Sequence, residues 1–250
     1  MIDIHCHIIP GVDDGAYDRE ESLIMGRMAE ACGVTDIIVT PHCNIPRGFF
    51  NFCGHDYDAA VGSLRRAFGE AGINLRLHRG MEVFGMDDTA GMLDDDSIIT
   101  LAASKYLLIE FAFDDDMWRV RDVLRSLLRR GITPIVAHPE RYYPVMDDLR
   151  FALDWVDMGC LLQLNRTSLL YGPDEPEAAA AFELLELRAA HFIATDAHAT
   201  TYRTTELVDA YDLISEKYSP EWAWLLMQEN PRRVLENEEV LSLSPLRRRV

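Results

Sequence analysis

The chain has 250 residues, of which 48% are hydrophobic and 26% charged, and a formal net charge of −18 at pH 7. That size and balance describe a globular chain with a substantial core, most simply one α/β domain over residues 1–250. The acidity disfavours a nucleic-acid partner, which needs a basic footprint, and no apolar run reaches membrane-spanning length.

The first candidate strand, "IDIHCHI", carries His5 and His7 with Cys6 between them. Alternation along an extended strand sends both imidazoles to one face and the thiol to the other, which suits one divalent ion. A His-x-His pair alone is equally often a surface feature. With such residues already at position 5, a basic n-region and an apolar h-region are missing, so no secretory signal peptide is expected. "REESLIMGRMAEACG" has helical periodicity, and "DIIVTPH" is a second strand ending in His42. Phe49, Phe50 and Phe52 follow, either lining a groove for an aromatic substrate or sealing a loop against a helix. The helix "YDAAVGSLRRAFGEAG" leads to "LRLHRGMEV" with Glu82, and after an irregular stretch from 84 to 105 comes "YLLIEF" with Glu110.

"MWRVRDVLRSLLRRG" is helical, and "TPIVAHPE" ends in His138 with Arg141 three residues on. "DLRFALDWVDMG", the strand "LLQLNR", and "PEAAAAFELLELRAA" lead to "FIATDAH", which holds Asp196 and His198, with Arg203 five residues later. Seven strands alternating with helices, several of which stop at glycine, predict a mostly parallel sheet closed into a barrel. The final "PLRRRV" reads as a flexible basic tail over about 240–250. Homo-oligomerisation stays compatible with all of this.

Histidine, aspartate or glutamate stands at the C-terminal end of six strands, the face on which parallel barrels build active sites. Imidazoles and carboxylates without thiolates suit Mn²⁺, Fe²⁺ or Zn²⁺, whereas Ca²⁺ sites use oxygen alone. About nine candidate ligands are too many for one ion. Clustered ions polarise a phosphoryl oxygen and supply a hydroxide nucleophile at neutral pH, so hydrolysis is the natural chemistry. Arg141 and Arg203 then either grip a phosphoryl group or form ordinary ion pairs on an acidic protein.

The five cysteines lack C-x-x-C spacing, which argues against a disulfide framework and for a reducing cytoplasm. Cys160 and Arg166 satisfy the C-x5-R spacing of cysteine-dependent phosphatases. That chemistry needs a glycine-rich phosphate loop before a helix, and "LLQLN" is an apolar strand instead. Cys160 and Cys32 read as small buried hydrophobes.

Taken in order, "DIHCHIIPGVDDGA", "VTPH", "GMEV", "YLLIEF", "AHPERY", "LLQLN" and "ATDAH" resemble the motifs of the polymerase-and-histidinol-phosphatase (PHP) superfamily. More narrowly, they are similar to its bacterial protein-tyrosine phosphatases of capsular and exopolysaccharide synthesis. The resemblance implies a distorted (β/α)7 TIM-like barrel of the PHP type with three divalent ions, commonly Mn²⁺. It implies that His5, His7, Glu82 and Asp196 hold one ion, that Glu82, Glu110 and His138 hold a second, and that Asp14, His42 and His198 hold a third. Asp13 would support the site or its turn, and Arg141 and Arg203 would lie beside the cluster. The implied partner is the phosphotyrosine-bearing tail of a bacterial tyrosine autokinase. One departure is "TPHCNIPRGFFNF", where the family often carries a second histidine or a glycine-containing loop. The rival enzymatic readings are a PHP-type small-molecule phosphatase acting on a histidinol-phosphate-like substrate, a nuclease, and an amidohydrolase. The amidohydrolase often needs a carboxylated lysine at a strand end, where neither Lys105 nor Lys217 falls. A metal-stabilised binding module without catalysis is the rival from another class.

Overall fold

The structure is a computed structural model describing residues 1–44, 46, 48–172 and 174–242. Its strands are β1 (Ile2–Cys6), β2 (Asp36–Val39), β3 (His42–Cys43), β4 (Arg76–Arg79), β5 (Glu82–Phe84), β6 (Tyr106–Glu110), β7 (Thr133–Ala137), β8 (Leu161–Asn165) and β9 (Phe192–Ala194). All pairings between them are parallel, in the orders β1-β2-β4 and β3-β5-β6-β7-β8-β9.

The two sheets are levels of one wall. Pro41, which has no N–H to give to a ladder, separates β2 from β3, and Gly80 and Met81 separate β4 from β5. The pairing continues across the breaks, with Thr40 N donating to Cys6 O at 3.0 Å and Glu82 N to Pro41 O at 3.2 Å. Seven staves result, and the seventh returns to the first. Cys6 bridges Ala197 in parallel, while His7 N donates to Ala197 O and Asp196 N to His5 O, both at 2.9 Å. The fold is a distorted (β/α)7 TIM-like barrel.

Side-chain alternation sorts each stave into an outward and an inward row. Leu107, Ile109, Val136, Leu162, Leu164 and Ile193 face outward into the apolar layer shared with the helices. The inward row changes character along its length. Tyr106, Leu108, Ile135, Leu161, Phe192 and Ala194 fill the lower interior, and further along the same row come Glu110, Gln163, Asn165 and Asp196, all buried. The polar groups therefore rest on a dry apolar plug at the C-terminal mouth.

The helical segments form much as their periodicity predicts: Arg19–Ala31, His55–Ala71, Met117–Leu128, Arg150–Met158 and Pro176–Glu186. In Met117–Leu128, the residues Val120, Val123, Leu124 and Leu127 make one buried stripe, each worth about 1.5–3 kcal/mol if fully buried. The Asp116 side chain caps that helix by accepting from Trp118 N at 2.9 Å. Gly72 and Gly159 end two helices at φ 68° and 104°, a conformation that costs glycine little.

The irregular stretch holds a short helix, Thr89–Asp94, and a 3₁₀ turn, Leu101–Ala103. Helices Arg166–Leu170, Val208–Lys217, Pro220–Trp224 and Asn230–Leu235 go beyond the sequence reading. Pro220 opens the last helical stretch, where a missing N–H is harmless, and a π-helical segment, Leu225–Glu229, joins Pro220–Trp224 to Asn230–Leu235 without a break, so the change of pitch blurs any single 3.6-residue periodicity. Of the basic tail, Val240 N donates to the Tyr106 hydroxyl at 3.1 Å and Leu241 N to Asn230 Oδ1 at 3.0 Å. Residues 243–250 lie outside the described residues.

Candidate metal centre

The polar strand ends converge at the mouth. Among the described residues, ligand atoms gather into three overlapping groups, each within 4.8 Å: His5, His7, Glu82 and Asp196; His42, Glu82 and Glu110; and His7, Asp14, His42 and His198. The first group has the composition that the resemblance implies. The second contains His42 where His138 was expected, although His138 Nε2 stands 3.0 Å from Glu82 Oε1 and 3.8 Å from Glu110 Oε2. His42 lies between two groups, with Nδ1 3.0 Å from both Glu82 and Glu110 and Nε2 3.4 Å from Asp14.

Local backbone geometry aims these side chains. Ala137 faces inward, so regular alternation would send His138 out of the barrel. Instead His138 adopts φ 35°, and this turn swings its imidazole onto Glu82. Asp196 at φ 49° is a second left-handed residue at the site, and such positions cost about 1–3 kcal/mol each. The "VDDG" loop folds back over the mouth. Its Gly15 packs so tightly that an added Cβ would lie 2.1 Å from the His7 carbonyl oxygen, so only glycine lets Asp13 and Asp14 approach.

Three histidines are oriented by outer acceptors. His5 Nδ1 donates to Gln163 Oε1 at 2.8 Å, His7 Nδ1 to Asp13 Oδ2 at 2.8 Å, and His198 Nδ1 to the Asp196 carbonyl at 2.9 Å. Each keeps an Nε2 lone pair for the centre, the arrangement found around protein-bound metals. The Nε2 atoms of His5 and His7 come within 3.1 Å of each other, a repulsive contact unless a cation or proton lies between them.

His42 Nδ1, Glu82 Oε2, Glu110 Oε1, Asp196 Oδ1 and His198 Nε2 are buried without a hydrogen-bond partner. Each has an oppositely charged neighbour at 3.0–3.4 Å but no directed hydrogen bond, and divalent ions at the centre of each group would take up these lone pairs. The donors are nitrogen and carboxylate oxygen, which fit Mn²⁺, Fe²⁺ or Zn²⁺. All five cysteines are free, and none belongs to these groups.

Proton affinities follow from the same crowding. Burial works against charge on His7, but Asp13, together with Asp196 and Glu82, outweighs it and holds the imidazole's pKa well above its ordinary value. His42, likewise penalised by burial, is pushed up to about 10, chiefly by Glu82. Burial opposes ionisation of Glu82 and Asp196, yet the surrounding imidazoles, His5 foremost, keep both carboxyls well below their usual range. Without ions, the site is a dense set of imidazolium–carboxylate pairs.

The arginines adjoin this cluster. Arg203 pairs with Asp196 Oδ2, and Arg141 Nη1 lies 3.6 Å from the same oxygen. Both line a cleft of about 150 Å³ together with Asn165, Ser168, Tyr171 and Tyr202. The Arg141 guanidinium also lies over the Phe113 ring at 4.6 Å, and Phe113 meets His138 edge-on. Phe49 stacks on His42 with 5.8 Å between centroids, while Phe50 is 60% exposed.

Gln163, Asn165, Glu140 and Phe113 escaped the sequence reading. For the first two a signal existed, since they are polar at alternate positions of the otherwise apolar "LLQLN".

The cysteine alternative has no geometry to support it. Cys160 is buried just before β8 and Arg166 follows its end, with the whole strand between them, roughly 17–20 Å at a strand's rise. Burial pushes the Cys160 thiol up to about 12, and Arg166 is paired with Asp209. Cys160→Ser should leave phosphatase turnover within a few-fold; total loss in a folded variant, or a trapped phosphocysteine, would revive the cysteine mechanism. The lysines are equally remote from the centre, with Lys105 paired to Glu239 and Lys217 lying 3.8 Å over the Phe182 ring.

Comparison with known proteins gives the family and the fold. A family model described as capsular polysaccharide synthesis, CpsB/CapC, matches residues 1–236. The tyrosine-protein phosphatase CpsB of Streptococcus pneumoniae is 31% identical, over 94% of this chain and 98% of its own length. The tyrosine-protein phosphatase YwqE of Bacillus subtilis is 30% identical, over 98% of this chain and 95% of its own. One chain from the crystal structures of YwqE and CpsB, described as metal-dependent tyrosine phosphatases, superposes with a TM-score of 0.92 at 29% identity, covering 99% of this chain and 100% of that one.

Proposed function

Because the chain belongs to the CpsB/CapC family of capsular polysaccharide synthesis, we propose that it is a metal-dependent protein-tyrosine phosphatase. Its substrate is the phosphotyrosine-bearing tail of a bacterial tyrosine autokinase of polysaccharide synthesis, and it works in the cytoplasm. No helix among the described residues is long and apolar enough to cross a membrane. The observation that carries the reading is the set of converging buried ligand atoms at the barrel mouth that lack a directed hydrogen bond, next to a cleft walled by two arginines.

His5, His7, Glu82 and Asp196 would hold one ion. Glu82 and Glu110, with His138 or His42, would hold a second, and Asp14, His42 and His198 a third, all three most simply Mn²⁺, with Fe²⁺ or Zn²⁺ suited to the same donors. Bound there, the ions supply Lewis acidity toward phosphoryl oxygen and acidify water at neutral pH. Arg141 and Arg203 hold phosphoryl oxygens with the forks not engaged by Asp196. Phe49, stacked on His42, offers a face to the tyrosine ring. The leaving phenolate has a pKa of about 10, so its expulsion asks little of a proton donor.

The deciding measurement is kcat/KM on Mn²⁺-reconstituted protein for phosphotyrosine peptides, phosphoserine peptides and histidinol phosphate. Phosphotyrosine should lead by at least about tenfold, near 1.4 kcal/mol of transition-state preference. A preference for histidinol phosphate would replace this reading with a small-molecule phosphatase.

A further inference from the structure

The inward face of β8 carries two neutral amides between two of the proposed ligands. His5 Nδ1 donates to Gln163 Oε1 at 2.8 Å, Gln163 Nε2 donates to Asn165 Oδ1 at 2.9 Å, and Asn165 Nδ2 donates to Asp196 Oδ2 at 2.6 Å. All four side chains are buried, none more than 3% exposed. We propose that Gln163 and Asn165 are positioning residues, a one-way amide relay that holds His5 and Asp196 ready to share an ion. The proposal rests on the metal reading of the site.

The direction follows from donor and acceptor chemistry. An ionised Asp196 can only accept, so Asn165 must turn its NH₂ toward it and its oxygen toward Gln163. Gln163 must then present its own NH₂ to Asn165 and its oxygen to His5. His5 is left to donate through Nδ1, which fixes the tautomer with a free lone pair on Nε2. At the other end, Asn165 occupies Oδ2 and leaves Oδ1 of Asp196 facing the centre. Reversing one amide would set oxygen against oxygen in a dry interior, which is costly. The end of β8 is itself fixed, because Asn165 N donates to buried Glu140 Oε1 at 2.8 Å. A strand needing only to pack would carry apolar residues at 163 and 165, as it does at Leu162 and Leu164.

The test uses the full chain with Mn²⁺ alone as probe, reading affinity by competition with a chelating dye and ligand geometry by the Mn²⁺ electron paramagnetic resonance spectrum. Gln163→Met and Asn165→Leu keep the volume and cut the relay, and each should weaken the tightest site by about 10–100-fold with an altered spectrum. The double variant should lose little more than either single one, because a chain broken once is already broken. Gln163→Glu still accepts from His5 but turns an oxygen toward Asn165 Oδ1, so it too cuts the relay and should weaken the site with an altered spectrum; it carries the test if the Met variant does not fold. A wild type that takes up no Mn²⁺ overturns the metal reading and the relay with it. A wild type that binds normally, with variants matching its affinity and spectrum or with losses that add, overturns the relay alone.

Discussion

Treatment with a strong chelator is expected to abolish turnover of phosphotyrosine peptides, and Mn²⁺ is expected to restore it. The loss should reach about 10³-fold or more, since ion-mediated stabilisation is worth several kcal/mol and each 1.36 kcal/mol is tenfold. Glu82→Ala should reproduce the loss without a chelator. Glu82 lies within 3.2 Å of His5, His7, His42 and His138, so its removal disrupts two of the three groups at once. Elemental analysis should show fewer ions per chain. The pH dependence has a definite sign: in the ion-free site, His7 and His42 hold protons above the usual histidine range, and a metal needs the bare nitrogen. Uptake therefore expels protons, and apparent affinity should rise with pH from the ordinary histidine range until the raised His42 value of about 10 is passed. Full activity in a demonstrably metal-free sample, or affinity that falls with rising pH, would contradict the assignment.

Arg141→Ala or Arg203→Ala should lower kcat/KM by roughly 10²-fold, the order found on losing one preorganised electrostatic donor. The structure sharpens this expectation, because both guanidinium groups approach the outer oxygen of Asp196 as well as lining the cleft. They could be read as ion pairs that merely neutralise a buried carboxylate. Metal content separates the two roles. Removing a cation beside Asp196 does not weaken that carboxylate's attraction for another cation, so the ions should stay while activity falls. Lysine should rescue only in part, since a point charge cannot reproduce a bidentate fork. Near-native kcat/KM with full metal loading in both alanine variants would move the phosphate pocket elsewhere.

Much of the architecture was legible because period and composition are local properties. The alternation of "YLLIEF" and the stripe of "MWRVRDVLRSLLRRG" each require only a few consecutive residues to be read, and both became the elements expected. The late helices were harder, since the π-helical turn Leu225–Glu229 between Pro220–Trp224 and Asn230–Leu235 shifts the phase of any 3.6-residue pattern. Among the site residues, histidine and carboxylate at strand ends stood out by chemistry. Gln163 and Asn165 stood out only as polar residues at alternate positions of an apolar strand, a signal that places them on the inward face but says nothing of what they bond until their neighbours are known.

The sequence by itself determined the seven-stave α/β barrel, the donor chemistry of the mouth, and the family, because residue type, spacing and motif order survive without coordinates. Tertiary structure alone decided which donors face one another. His42 reaches Glu82, Glu110 and Asp14 from between two groups, although these residues are far apart in the chain. It also decided that His138 turns inward at φ 35° against the strand's alternation, and that Asp196 offers one oxygen to the centre and the other to Asn165 and the arginines. Those facts depend on closure of the barrel, which brings the first and last staves together and sets side-chain direction through contacts that no local window of sequence contains.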